Sequence, residues 1–205
     1  MSGAKTLVVA TGNQGKLADF RENLGFEGFE YKTLKDIGFD SEIDENALTF
    51  AGNATIKVRA VAKFLNEKGE HAWVLADDSG LEVFALGGEP GVFSARYAGH
   101  HGSDLANNLL LLKNLETVSD RSARYVCALA LLHSDSPNAE PVIFEGECRG
   151  EILKAPIGEK GFGYDPLFRP LNMSRTFAQM EFSEKKNFSH RGKALRKLAA
   201  ANILR

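Results

Sequence analysis

The sequence predicts an α/β protein built on a mixed β-sheet with flanking helices. Short apolar runs such as Leu7-Val8-Val9-Ala10 and Trp73-Val74-Leu75-Ala76 read as buried strands. Apolar residues at helical spacing, above all Phe50, Ala54, Val58, Val61, Ala62 and Leu65, read as an amphipathic helix. Strands and helices intermingle without strict alternation, so the sheet is not the purely parallel kind. The 205 residues fit a single domain, 1–205, or at most two small lobes sharing a core.

Along the chain, the strand at 7–10 stops at Thr11-Gly12-Asn13-Gln14-Gly15-Lys16. A helix is predicted over 16–24, with Leu17, Phe20 and Leu24 on one face, and a strand over 29–33. Residues 40–46 are polar and acidic and read as loop. The helix from Phe50 ends before Gly69, where the chain must turn. The next strand, 73–76, runs into Asp77-Asp78-Ser79-Gly80, read as its terminating turn, with a further short strand over 81–86. Ser103 caps a helix to about residue 115, and Asp104 suits its first turn.

Residues 125–132 are apolar on both faces and predict a central strand. A turn at 134–140 leads to a half-buried strand over 142–148. Paired as a hairpin, these strands would set Cys127 nearly opposite Cys148, both as reduced thiols. Residues 158–165 form a glycine and aromatic loop. A last helix starts near Ser189 and buries Leu195, Leu198 and Ala199.

Composition excludes several function classes. Lys and Arg number 25 against 27 Asp and Glu, a formal charge of -2 that lacks the basic excess of a nucleic-acid binder. Two cysteines make neither a disulfide framework nor a zinc knuckle. The N-terminal run Leu7 to Ala10 is too short for a signal h-region, and no later run approaches the length of a membrane span. The expectation is a soluble cytoplasmic protein with no membrane or nucleic-acid partner.

Five places could carry chemistry. The Thr11–Lys16 loop joins a buried strand to a helix start, where converging N–H groups and a lysine suit a phosphate; it fits neither the Walker nor the dinucleotide spacing, and could equally be an ordinary turn. Asp77-Asp78 follows an apolar strand, at the end where open α/β sheets bind ligands. Asp44 and Glu45, ahead of the long helix, could join Asp78 as oxygen ligands for Mg²⁺, or form a solvated acidic loop. Lys57, Arg96, Lys185 and His190-Arg191 form a basic set. The last pair sits at a helix start, where cations oppose the dipole, so it suggests a bound anion or a specific polar partner. Phe162-Gly163-Tyr164-Asp165 offers aromatic faces for a base and an acceptor for a ring N–H, or a loop pinned to the core.

Taken together, the Thr11–Lys16 loop, Asn53-Ala54 with Lys57, Asp77-Asp78-Ser79-Gly80, Gly88-Glu89-Pro90-Gly91 with Arg96, Gly161-Phe162-Gly163-Tyr164-Asp165-Pro166 and Ser189-His190-Arg191-Gly192 occur in one order from about Leu7 to the last helix. In this the chain resembles the inosine/xanthosine triphosphate pyrophosphatase family, the house-cleaning enzymes for deaminated purine nucleotides. The resemblance implies an elongated mixed sheet with two lobes around a central cleft. It also implies a homodimer and Mg²⁺-dependent hydrolysis of inosine, deoxyinosine and xanthosine triphosphates (ITP, dITP, XTP) to monophosphate and pyrophosphate.

By residue, the resemblance implies Asp78 as catalytic and Glu45 with Asp78 as metal ligands, Asp44 being the lesser candidate. Substrate contacts fall to Thr11, Gly12, Asn13, Gln14, Gly15, Lys16, Lys57, Ser79 and Arg96. The base is read by Phe162, Gly163, Tyr164, Asp165, Lys185, His190 and Arg191. The chain departs from the pattern where Glu45-Asn46-Ala47 replaces Glu-Thr-Gly and Gly52-Asn53-Ala54 replaces Glu-Asn-Ala. Two alternatives stand beside this reading. One is a pyrophosphatase for pyrimidine or modified nucleotides, as in the septum-formation-inhibitor family. The other is a nucleotide-binding module without chemistry.

Overall fold

In the computed structural model, which describes residues 5–13, 15–17, 20, 25–99 and 103–204, six strands make one mixed sheet with flanking helices. The strands are β1 (Lys5–Ala10), β2 (Phe29–Thr33), β3 (Trp73–Val83), β4 (Ser122–His133), β5 (Val142–Ile152) and β6 (Phe168–Pro170). Their order in the sheet is β2-β1-β3-β4-β5-β6. β1 pairs in parallel with β2 and β3, whereas β5 pairs antiparallel with β6. Parallel strands are covered on both faces, which is why Leu7, Val8, Val9 and Ala10 are all apolar and all at most 5% exposed.

The helices are α1 (Phe50–Glu67), α2 (Asp104–Asn114), α3 (Phe182–Phe188) and α4 (His190–Ala200), and residues 15–17 and 20 are also helical. Thr49 starts α1 as its N-cap, accepting the Gly52 N–H at 3.1 Å. Ser103 caps α2 through the Ala106 N–H, as its sequence predicts. Among the described residues no helix is long and apolar enough to cross a membrane.

The chain divides into two compact units. The first is Met1–Asp78, Ala128–Glu145 and Ala194–Arg205; the second is Ser79–Cys127 and Gly146–Lys193. The first has a core of Val8, Ala54, Val58, Val61, Leu65, Val74 and Ala130, with Ile43 and Phe39 packed on it. The second has its own core around Leu81, Val83, Leu111, Tyr125, Leu167, Phe168 and Phe177. Cys127 and Cys148 are both buried thiols, and burial pushes the Cys148 thiol up to about 11.

Several expectations need correction. Asp77-Asp78-Ser79-Gly80 is not a turn: β3 runs unbroken through it to Val83. The strand expected over 81–86 is the end of β3 followed by a 3-10 turn at Phe84–Leu86. α3 and β6 escape the sequence pattern because one is a short polar helix and the other a three-residue strand ending in proline. In α4 the buried apolar side chains are Ala194, Leu195 and Leu198, and Ala199 is exposed. Leu24, expected on the first helix's buried face, lies outside the described residues.

The β5–β6 pairing depends on Gly150, which faces Pro170. A Cβ there would lie 2.3 Å from the Arg169 carbonyl oxygen and 2.7 Å from the Phe168 ring. Gly150→Ala is therefore expected to destabilise the protein by about 1–3 kcal/mol, the usual cost of overpacking, measured by urea unfolding. An unchanged midpoint would show that β6 can move away freely.

Candidate active site

In the first unit, α1 and β3 build an acidic centre around one lysine. Asn53 and Lys57, one helical turn apart, share a face of α1. Asn53 Nδ2 donates to Asp78 Oδ2 at 3.2 Å, while Lys57 Nζ donates to Asp78 Oδ1 at 3.2 Å. The same ammonium donates to Glu45 Oε2 at 2.7 Å. Asn53 also accepts the Ala47 N–H at 2.9 Å through Oδ1, which ties the acidic loop to the helix. Asn53, Lys57 and Asp78 are buried, and Glu45 is half-buried. Asp44 points elsewhere: it is exposed and accepts from the Asn46 carboxamide.

Burial raises the Asp78 pKa, and the nearby Asp77 and Glu45 carboxylates add to the rise; Lys57 and Lys16 oppose it without cancelling it. Burial acts on Lys57 in the opposite sense, towards a lower pKa. The carboxylates of Asp78, Glu45 and Asp77 outweigh it, so the lysine is held more firmly protonated than usual. The centre is thus a buried cation fixed among carboxylates, one of which is a stronger base than ordinary aspartate.

The Thr11–Lys16 loop belongs to the same unit. Asn13 caps the helical turn that follows, its Oδ1 accepting the Lys16 N–H at 3.0 Å. The Asn13 N–H in turn donates to Thr11 Oγ1 at 3.2 Å. Lys16 forms an ion pair with the buried Asp77, and its charge reaches Asp78. Gly12 and Asn13 are exposed, Thr11 is buried, and Gly15 and Lys16 are half-buried. Among the described residues, a Cβ on Gly12 would meet nothing within 4 Å, which leaves room against the loop backbone there. Gln14 lies outside the described residues.

The second unit holds the other predicted residues. Lys185 Nζ is bonded to Asp165 Oδ2 at 2.5 Å, both buried. The same Asp165 oxygen accepts the Phe162 N–H at 3.1 Å. Gly161 makes this possible: its φ is +78°, and a Cβ would lie 2.0 Å from that oxygen. Gly163 donates to Asp104 and accepts from Asn108, which ties the loop to α2. The Tyr164 hydroxyl donates to the Ser94 carbonyl at 2.9 Å. Lys185 lies 5.4 Å and Arg191 5.9 Å from the Phe162 ring centre.

Arg191, only 2% exposed, donates to Ser79 Oγ at 2.9 Å. His190 stacks on Tyr125 at 4.7 Å with ring planes 7° apart. So the helix start has the specific polar partner that its unfavourable charge suggested. Arg96 is half-buried in the same unit, with its guanidinium 5.4 Å from the Phe93 ring centre.

Two contributors, Asn53 and Tyr125, were not singled out from the sequence as site residues, and Asp77 was read only as one half of the Asp77-Asp78 pair. Asn53 appears there only as part of a motif, yet it grips Asp78 and the acidic loop together. Asp77 holds Lys16. Tyr125 supports His190 from β4, a contact that a strand pattern cannot reveal. A buried asparagine on the face of α1 that carries Lys57 was the available signal for the first.

The Ham1 family model matches residues 7–201. A dITP/XTP pyrophosphatase of Bacillus licheniformis is 46% identical over 198 residues, covering 96% of this chain and 97% of that one. One from Bacillus subtilis is 44% identical over 197 residues, covering 95% and 96%. Among solved structures, the Staphylococcus aureus Ham1 protein is similar with a TM-score of 0.84 and 42% identity, covering 96% of this chain and 97% of that one. A Ham1 protein from Coxiella burnetii has a TM-score of 0.84 and 39% identity, covering 96% and 98%.

The Lys185–Asp165 pair gives a stability test. Removing one partner of a buried pair leaves an uncompensated charge and costs about 3–5 kcal/mol, whereas removing both charges costs far less. Lys185→Met is expected to show that loss in chemical denaturation, and Asp165→Asn combined with Lys185→Met is expected to recover most of it. Equal losses in the single and double variants would mean the pair is not the stabilising contact.

Proposed function

The chain belongs to the Ham1 family, and on that premise we propose that it hydrolyses the deaminated purine triphosphates ITP, dITP and XTP to monophosphate and pyrophosphate, with Mg²⁺ as cofactor. The observation that carries this is the buried Asp78, held by Asn53 and Lys57 beside Glu45. A binding module has no need of a buried carboxylate with raised basicity; a hydrolase that must take a proton from water does. The reading extends to a single catalytic domain that works as a cytoplasmic homodimer, on the strength of the family resemblance.

The donor set fits a magnesium ion. Glu45 and Asp78 are hard oxygen donors that converge on one ammonium, so the two carboxylates lie close enough together to share a cation. Among the described residues no group of three or more His, Cys, Asp or Glu could hold a metal unaided. Mg²⁺ typically takes one or two carboxylates and completes its shell with water and substrate phosphates. Glu45 and Asp78 would hold it, and the bound ion would neutralise triphosphate charge and stabilise the departing pyrophosphate.

The chain's own residues supply the rest. Asp78 accepts a proton from water as the water oxygen bonds to the α-phosphorus. The bond from that phosphorus to the α–β bridging oxygen breaks, and pyrophosphate leaves with the electron pair. An ionised carboxylate has about four acceptor sites, so Asp78 can take this proton while Lys57 and Asn53 hold it. Lys16 and Lys57 counter the phosphate charge, and the open space at Gly12 lets a phosphate approach the backbone. In the second unit the Phe162 ring stacks on the base. Arg191 donates to a 6-oxo acceptor, where adenine would present its own donor and be rejected.

The testing experiment is product analysis across ITP, dITP, XTP, GTP, ATP and pyrimidine triphosphates with Mg²⁺. Pyrophosphate from ITP, dITP and XTP, at far higher kcat/KM than from ATP, is expected. Comparable values for ITP and ATP, or release of orthophosphate, would overturn the reading. Asp78→Asn is expected to lose about 100-fold or more in kcat.

Without Mg²⁺, Asp78 is expected to titrate above the ordinary aspartate range because burial raises its pKa, measured by NMR of the free protein. By linkage, a raised folded pKa gives stability present at low pH and lost as pH rises through that pKa. Asp78→Asn removes the group that titrates, so this loss of stability with rising pH is expected to shrink, while the variant also takes one carboxylate from the buried Lys57 and leaves Glu45 to hold it. A variant that keeps near-normal turnover would remove Asp78 from this role.

A further inference from the structure

Gly52 lies in the regular first turn of α1, where the backbone makes no demand for glycine and where glycine is a poor helix former. The demand comes from the acidic loop. A Cβ at position 52 would lie 2.6 Å from the Ala47 Cβ and 3.0 Å from Thr49 Oγ1. Ala47 is the residue whose N–H reaches Asn53, and Asn53 reaches Asp78. Glu45, two residues earlier, reaches Lys57. The missing side chain at 52 therefore sets how closely the loop bearing Glu45 can seat on α1.

We propose that Gly52 and Ala47 are a matched pair that seats the acidic loop on the first turn of α1, making Gly52 a positioning residue for Glu45 and Asp78. The positioning role rests on the reading given under Proposed function; the seat itself does not. An alanine at 52 improves the helix, so the strain falls on the irregular, half-exposed loop, which can yield where the helix cannot. The loop lifts, the Ala47–Asn53 bond is lost, and Glu45 moves from Lys57. Shortening the other side, Ala47→Gly, removes the 2.6 Å contact and leaves only the 3.0 Å approach to Thr49 Oγ1, which a shift of a few tenths of an ångström relieves, so the seat is restored.

The test compares the full-length protein with Gly52→Ala, Ala47→Gly and the double variant. Amide hydrogen exchange at position 47 reads the seat, thermal midpoint reads global stability, and half-saturating Mg²⁺ in ITP hydrolysis reads the positioning. Gly52→Ala is expected to speed exchange at Ala47 by on the order of tenfold or more, raise the half-saturating Mg²⁺ several-fold, and leave the midpoint undiminished. The double variant should return exchange and half-saturating Mg²⁺ towards the parent.

Unchanged exchange at Ala47 in Gly52→Ala, or a double variant no better than the single, would overturn the proposal. Should Gly52→Ala fail to fold, the double variant must fold; if it does not, the proposal falls. A protein that shows the exchange changes but releases no pyrophosphate from any triphosphate keeps the seat and loses the enzymatic reading.

Discussion

The ammonium of Lys57 is removed from water and set against two carboxylates, and the first unit is arranged around that fact. A buried charge persists only when paired and hydrogen-bonded. Asp78 must therefore come from the sheet and Glu45 from the loop before α1. The helix contributes twice to one carboxylate: Asn53 holds one oxygen and Lys57, four residues on, holds the other. A rigid helix face thus orients both oxygens of the carboxylate proposed to take the water's proton, and the buried setting strengthens it as a base.

The second unit solves a similar problem with different parts. Lys185 and Asp165 neutralise one another out of water, and the same carboxylate pins the backbone of Phe162. Gly161 is required because any side chain would occupy the position of that oxygen. Arg191 is buried to 2% exposure and fixed on Ser79, so its planar donors are pre-set rather than searching. Such a fixed donor array can discriminate between base edges, because a mismatched edge leaves buried polar atoms unpaired.

Much of the fold was legible because burial writes a period into the chain. β1 and α1 follow directly from Leu7 to Ala10 and from Phe50, Val58, Val61 and Leu65. β3 was misread at its polar stretch because a strand interior excludes bare aspartates. The compensating lysines come from distant segments that a local pattern cannot see. α3 and β6 are too short to show a period. The site residues were recognisable as motifs, but their partnerships were not. Spacing left Asp44 and Glu45 open, and only the folded loop turns Glu45 to Lys57 and Asp44 to Asn46. The two departures from the family pattern looked separate in sequence, yet Ala47 and Gly52 face each other across the acidic loop.

The central claim is that water activated by Asp78 attacks the α-phosphorus. Hydrolysis of dITP in ¹⁸O-enriched water, with the products separated and weighed by mass spectrometry, tests it most directly. The label is expected wholly in the deoxyinosine monophosphate, with unlabelled pyrophosphate. Label in the pyrophosphate or in orthophosphate would place the attack on another phosphorus and contradict the account.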